Sequence, residues 1–258
     1  MHTVSALWQE MIQNPLVSKN EKIIIAGTEY GVSQLVGGTV EESLMSSSFE
    51  IGNAVSREIQ VKLFPRVNIP RTAKIERQVQ LVILDADGKV SQESEWIPKG
   101  TFYTDLRVQS PNGMFTLTAY DAMLKADSVW PALTDSEVEW PISMADAVRD
   151  IAGILGVEVD TRNKINQNYK LSQVSTDTTM REVLCTIAAA HGGVFCISDF
   201  NTLRLLTFGP INTTQRAGFV DIGRRLGHFE SSVALGPVEQ VTLYYDDERY
   251  YTAGKEVE

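Results

Sequence analysis

The chain has 258 residues, of which 43% are hydrophobic and 22% charged, a length and balance that suit one or two globular domains with a real core. No run of about 18 apolar residues occurs, so no membrane insertion is expected, and Met1-His2-Thr3-Val4-Ser5 lacks the basic patch and apolar block of a secretory signal. A net charge of −10 argues against the broad positive field that specific nucleic-acid binding needs.

The elements follow in chain order. Val4, Leu7, Trp8, Met11 and Ile12 recur at helical spacing and predict a leader helix within residues 1–20, ended by Asn14-Pro15. From Lys22 the pattern turns to strands: Lys22–Ala26 is a β-branched run closed by Gly27, and Ile59, Val61 and Leu63 alternate with Gln60 and Lys62. Ala73, Ile75, Val79, Leu81 and Ile83 share one face of a long strand, opposed by Lys74, Glu76, Gln78 and Gln80. The turn Asp85-Ala86-Asp87-Gly88 follows, then a hairpin of Phe102–Gln109 and Met114–Tyr120 about Ser110-Pro111-Asn112-Gly113. Strands joined by tight turns over this length predict an antiparallel barrel or sandwich.

The character switches near Trp140-Pro141. Ser143 caps a helix with Met144, Ala147, Val148, Ile151, Ile154 and Leu155 on its apolar stripe and Gly156 as its stop, before a short strand at Val157–Val159. Thr179 and Glu182 form a capping-box pattern ahead of Met180, Val183, Leu184, Ile187 and Ala190. Gly192 or Gly193 ends this helix, Val194–Ile197 is a strand, Asp199-Phe200-Asn201 a turn and Leu203–Phe208 its return. Aligning Ser143 with Thr179 superposes Gly156 on Gly192, so the two helix–strand units echo one another. Residues 209–236 lead out, and Val238–Tyr245 with Tyr250–Gly254 predicts a two-strand ribbon, which is marginal alone in water.

Motifs that carry chemistry are scarce. Cys185 and Cys196 read as buried thiols, and His2, His191 and His228 show no ligand spacing, so neither metal nor cofactor is expected. His191-Gly192-Gly193 shares part of an oxyanion-hole pattern, but no Gly-x-Ser-x-Gly accompanies it; the plainer reading is a histidine at a helix C-terminus, where a cation is favourable. Asp121, Asp127, Asp135, Glu137 and Glu139 offer a carboxylate set for glycoside cleavage, set against the plainer reading of a solvated linker. Asp246-Asp247-Glu248 reads as a charged hairpin tip. The basic stretch Arg57, Lys62, Arg66, Arg71, Lys74 and Arg77 reads either as a solvated sheet face or as a charged contact with a neighbouring subunit.

Two stretches carry a family resemblance. One is Ile51-Gly52-Asn53-Ala54-Val55-Ser56-Arg57-Glu58-Ile59. The other is Trp96-Ile97-Pro98-Lys99-Gly100-Thr101-Phe102-Tyr103-Thr104-Asp105, followed by Leu117-Thr118-Ala119-Tyr120-Asp121-Ala122-Met123-Leu124-Lys125. In this order they resemble the amino-terminal region of baseplate hub and tail-associated (tail-tip) proteins of long-tailed phages, prophages and phage-tail-like particles, over roughly residues 20–210. The resemblance implies an α+β, mainly β fold: a tail-tube-like antiparallel β-barrel, a small α/β domain and the start of a second β-barrel. The corresponding segments are 1–20 (leader helix), 21–130 (barrel), 140–209 (α/β) and 210–258 (linker and partial second barrel).

The resemblance also implies a structural role, with no catalysis. Three copies form a pseudo-six-fold ring around the channel, joining a hexameric tail tube or distal tail protein to a central spike or fibre. The expected location is the virion tail tip, assembled in the bacterial cytoplasm, where an acidic wall lets DNA pass without adhering. Contact residues are expected among Arg57, Lys62, Arg66, Arg71, Lys74, Arg77, Tyr103, Asp87 and Asn112. Residues 227–258 are too few for a second barrel, so either that barrel is reduced or the chain is part of a longer one, in which a lytic domain stays open. The alternatives are a cell-wall hydrolase component and a carbohydrate-binding module using Trp96 or Tyr103 as stacking platforms.

Overall fold

The computed structural model describes residues 4–31, 33–41, 51–65, 67–85, 87–172, 175–208, 240–246 and 249–254. The chain divides into two units, one through Pro210 and one from Ile211. The fold is mainly β with few helices, in an α+β arrangement.

The first unit opens with helix α1 (Ala6–Met11), capped by the Ser5 hydroxyl on the Trp8 N–H. Strands β1 (Val17–Ile25), β2 (Thr28–Tyr30), β3 (Leu35–Glu41), β4 (Asn53–Ala54), β5 (Glu58–Leu63), β6 (Lys74–Leu84), β7 (Val90–Glu93), β8 (Ile97–Gln109) and β9 (Phe115–Tyr120) follow. Among the described residues, all of these but β4 form one antiparallel sheet of order β2-β1-β6-β8-β9-β5-β3, with β7 on β6. The sheet curls, because residues from both of its ends share one core: Ile23, Ile25 and Tyr30 at one end, Ile59, Val61 and Leu63 at the other, and Phe102, Phe115 and Leu117 between. Among the described residues β3 does not pair back onto β1 or β2, so the sheet is a half-barrel.

The local chemistry explains the hairpins. Ala26 and Gly27 both hold positive φ between β1 and β2, the twist that suits a two-residue connection. Asp85 accepts from the Asp87 and Lys89 N–H groups, and the Asn112 carboxamide accepts from Met114 N–H, so each expected turn is tied by its own side chain. β1 begins at Val17, before the expected Lys22, because Val17–Lys22 pair with Ile83–Gln78 of β6. The polar run Ser18–Lys22 hides this start from any apolar pattern. Gln80, expected on the outer face, is buried, its amide donating to the Ser94 carbonyl.

Beyond β9, two short 3-10 helices (Ala122–Asp127 and Pro131–Leu133) lead into β10 (Ile142–Ser143), α2 (Met144–Leu155), β11 (Glu158–Val159), β12 (Lys170–Leu171), α3 (Met180–Ala190), β13 (Gly193–Ile197) and β14 (Thr202–Thr207). Both expected caps are present: Ser143 accepts from Asp146 N–H, and Thr179 with Glu182 closes a reciprocal box. Gly156 and Gly192 both take positive φ, so the internal echo extends to the helix ends. The helices bury Met144, Val148, Ile151, Leu155, Val183, Leu184 and Ile187 with Trp130, whose indole N–H donates to Asp150 at 2.7 Å.

One segment crosses between the two cores. The chain leaves the half-barrel after β3 and lays β4 in parallel beside β13, completing a second sheet of order β11-β14-β13-β4, before returning as β5. Gly52 makes this possible: its φ is +85°, its N–H donates to Gly193, and a Cβ there would lie 2.7 Å from the Ala189 methyl. The second unit contains β15 (Gln240–Asp246) and β16 (Arg249–Gly254), paired antiparallel with Leu243 opposite Tyr251. That ribbon is the one expected from sequence. Residues 209–239, which include the expected exit segment, and Asp247-Glu248 of the expected tip lie outside the described residues.

Substituting Gly52→Ala is expected to destabilise the protein by about 2–4 kcal/mol, because strain and a clash with helix backbone add together. Gly88→Ala, with similar φ but open space around it, is expected to cost only about 1 kcal/mol. Urea denaturation of the two variants checks the difference.

Candidate assembly interface

The two resemblance-bearing stretches meet at one buried point. Arg57 enters β5 with 6% exposure, and Asp121, at the end of β9, has none. One Asp121 oxygen accepts from the Arg57 N–H at 3.0 Å and lies 3.5 Å from Arg57 Nε; the other accepts from the Ser56 hydroxyl and the Met123 N–H, both at 3.0 Å. The guanidinium continues outward, donating from Nη1 to Asp199 at 2.8 Å and from Nη2 to the Ser198 carbonyl at 3.1 Å. Lys99 donates to the second Asp199 oxygen at 2.9 Å. The chain of charges thus joins β5, β9, the β13–β14 turn and β8.

Gly100 supplies the room. It sits in a β-bulge, where Thr101 faces Glu76 but Pro98 faces Gln78, and its φ is +117°. A Cβ there would lie 2.8 Å from the Phe102 ring and 2.9 Å from Arg57 Nη2. The Arg57 guanidinium lies over the Phe102 face, 5.4 Å from the ring centre.

Electrostatics treat the two carboxylates oppositely. Burial pushes the Asp121 pKa above its ordinary value, although the Arg57 N–H and charge, Ser56 and Met123 all work to lower it. Burial also acts to raise Asp199, but Lys99 and Arg57 together outweigh it and hold that carboxyl below its ordinary range. A second clamp lies alongside: Arg181 of α3 donates to the Ala54 and Met123 carbonyls and pairs with Asp127.

These placements correct several expectations. Arg57 is not a solvated charge, since its side chain is buried with the guanidinium facing Asp121 and Asp199 of the same chain. Asp121 does not belong to a solvated linker: it is buried because β9 delivers it onto Arg57, and the segment after it packs Ala122, Met123, Ala126 and Trp130 into the α/β core. Asp127 pairs with Arg181 of α3. Tyr103 packs against the α/β core with the Lys125 ammonium 4.5 Å above its ring, and Lys22 covers Trp96 at 4.4 Å, so neither ring is an open stacking platform. His191 stands at the C-terminal end of α3, as expected, with Nδ1 2.7 Å from the Ile187 carbonyl and Nε2 2.9 Å from the Asn166 N–H. Cys185 and Cys196 are half-buried, and burial raises the Cys185 thiol pKa.

Of the remaining candidate contacts, Lys62, Arg71, Asp87 and Asn112 are exposed, Lys74 pairs with Glu76, and Arg77 pairs with Glu21. They come from several strands and turns of the half-barrel; Arg66 lies outside the described residues. Sequence reasoning did not single out Asp199 or Arg181. Lys99 stood in a quoted motif and Asp199 in an expected turn, but nothing local couples either to Arg57.

A cavity of about 900 Å³ opens between β1 and β3, lined among others by Ile23, Leu35, Val40, Val61, Lys19 and Glu21. Among the described residues, no group of three or more His, Cys, Asp or Glu side chains is arranged to hold a metal ion, and no helix is long and apolar enough to cross a membrane.

No family model and no curated protein matches the sequence. Solved structures similar to it include three tail proteins. The 43 kDa tail protein of prophage MuSo2 from Shewanella oneidensis has 14% identity and a TM-score of 0.48, over 74% of this chain and 56% of that one. A tail protein from Neisseria meningitidis MC58 has 12% identity and a TM-score of 0.46, over 92% of this chain and 68% of that one. Prophage tail protein gp18 from Listeria monocytogenes EGD-e has 8% identity and a TM-score of 0.41, over 73% and 50%. The chain thus spans little more than half the length of the first of these proteins.

Replacing Arg57 by Ala is expected to destabilise the protein by about 3–5 kcal/mol, since it strips the buried Asp121 of its cation, whereas Lys62→Ala shifts stability by less than about 0.5 kcal/mol. The Asp199 contribution has a definite sign with pH. Its folded pKa is depressed, so its stabilisation is present above the ordinary carboxylate pKa and is lost as the pH falls through the folded value. The stability gap between wild type and Asp199→Asn is therefore expected to narrow on acidification, as urea midpoints across a pH series would show.

Proposed function

We infer that this chain is a structural component of a phage-type tail tip, a hub protein whose copies form a ring between the tail tube and the spike or fibre. One observation carries the reading. The two halves of the hub-like sequence pattern, which lie far apart along the chain, depend on each other physically. Arg57 comes from the first stretch, and Lys99, Gly100 and Asp121 from the second, and they are parts of a single buried network. Two unrelated matches to a motif have no reason to meet in space; two parts of one scaffold signature do.

The open half-barrel adds support, because a sheet whose end strands have an unpaired side among the described residues is suited to neighbours at its rim. In this reading three copies surround a channel, a hexameric tube or distal tail protein sits on one side and a central spike or fibre on the other. The acidic charge of the chain suits a wall that nucleic acid passes without adhering. No catalytic step belongs to this role, and the place of action is the tail tip of a particle assembled in the bacterial cytoplasm.

Sedimentation of the purified chain, alone and with isolated tail tubes, tests the reading. The expected result is a species of three chains, either free or formed on the tube, and immunogold label at one end of the particle. A chain that stays monomeric in both conditions and never labels particles overturns it.

A further inference from the structure

The two edges of the half-barrel are dressed differently. β1 pairs with β6 along its whole length, yet on its other side only Ile23–Ile25 meet β2. Its free stretch carries Lys19, Glu21 and Lys22, the kind of charge that guards an edge against chance pairing. β3 pairs with β5 and with no other strand among the described residues. Residues 36–39 are exposed on both faces of β3, no lysine or proline interrupts it, and its one charge, Glu41, stands at the end. Among the described residues, nothing of that kind guards this edge.

The cavity of about 900 Å³ lies between these edges. A residue in a strand fills roughly 160 Å³, from a rise of about 3.3 Å, a strand spacing of about 4.8 Å and a sheet depth of about 10 Å. The space therefore corresponds to five or six strand residues. Its apolar wall includes Ile23, Leu35, Val40, Ile59 and Val61, with Trp8 and Ile12 of the α1 region also lining the space. Of its charged residues, Glu21 is paired with Arg77 and Lys99 with Asp199, while Lys19 has no acidic partner among the described residues. The matching occupant is a short extended segment with apolar residues at alternate positions and an acidic residue.

The chain carries such a segment on the far side of its own sheet. The ladder between β6 and β8 ends at Lys74 and Tyr103, so Leu106–Gln109 pair with β9 alone among the described strands, with Asp105 at a register shift just before them. Leu106 and Val108 lie on one face of this projecting hairpin, 53% and 49% exposed, directly after the exposed Asp105. The hairpin occupies the middle of the strand order, opposite the open edges, and cannot fold back into its own cleft.

We propose that the β8–β9 hairpin of one copy enters the cleft between β1 and β3 of the next, its Asp105–Gln109 edge adding to β3, Leu106 and Val108 covering the apolar wall, and Asp105 meeting Lys19. Such a contact is heterologous, with socket and plug on different faces, so it propagates around a ring. It rests on the ring-forming reading above and names the surface that would make the ring.

Two full-length variants test it. Leu106→Glu combined with Val108→Glu alters only exposed positions, so the thermal unfolding midpoint is expected to stay within a few degrees, while self-association, measured by sedimentation alone and on tail tubes, weakens at least tenfold. Thr39→Cys combined with Val108→Cys is expected to form interchain disulfides under mild oxidation, with neither single variant doing so. Unchanged association of the glutamate variant, or no interchain link, overturns the hairpin contact and leaves the ring reading standing. Linkage of Thr39→Cys to a different tail protein gives the cleft to that protein and also overturns the proposal. A wild-type chain that never associates overturns both readings.

Discussion

The arrangement of the first unit depends on the pairing of Arg57 with Asp121. Both groups have been taken out of water, which is unfavourable by several kcal/mol for each ion, and their attraction offsets this only where the remaining hydrogen bonds are also made. Most of them are: Asp121 accepts two backbone N–H groups and a hydroxyl and lies 3.5 Å from Arg57 Nε, and the two Nη atoms of Arg57 donate to Asp199 and Ser198. A pair of leucines would supply comparable stability without the desolvation. What the ions add is geometry, because their hydrogen bonds are satisfied at one placement of β5 and β9 relative to the β13–β14 turn. Gly100 belongs to the same constraint, since a side chain at that bulge would displace either the Phe102 ring or the guanidinium resting on it.

Legibility in the sequence follows the range of the interactions. Turns at Asp85–Gly88 and Ser110–Gly113 were readable because the capping groups lie within four residues of what they cap. The helix starts at Ser143 and Thr179 were readable for the same reason. The segment 51–57 was not readable as a sheet partner for β13: its pairing residue, Phe195, is more than a hundred positions away, and two strand residues carry no periodic signal. Asp121 looked like one more linker acid because the residues after it are polar at intervals and its cation lies on another strand. The candidate interface shared that fate, since charge was legible but exposure was not, and exposure separates Lys62 from Arg57.

The half-barrel and the α/β part are coupled more tightly than two domains in tandem. β4 belongs by sequence to the connection between two barrel strands and by pairing to the other sheet. Arg181 fixes that crossing by holding the Ala54 carbonyl and, through Asp127 and the Met123 carbonyl, the segment that leaves β9. Two traverses of the boundary and two arginine clamps make relative motion of the two sheets costly, because any shift must break several buried polar contacts together.

That rigidity bears on how an open sheet edge is used. The strands along the path β2-β1-β6-β8-β9-β5-β3 alternate in direction, so its two end regions, β1 and β3, run opposite ways. A single strand inserted between them is antiparallel to one and parallel to the other, whereas pairing with one edge alone leaves the alternation intact. The charged residues of β1 disfavour pairing there, whereas the glycine-bearing β3 carries a single charge, Glu41, at its end. A rigid body with one receptive edge and a projecting strand elsewhere on its surface gives a directional contact, and a directional contact repeated by rotation ends in a closed ring or an open helix. In the proposed contact, the angle between socket and plug would set which of the two results, and the buried ion network that ties β5, β8 and β9 together would hold that angle constant.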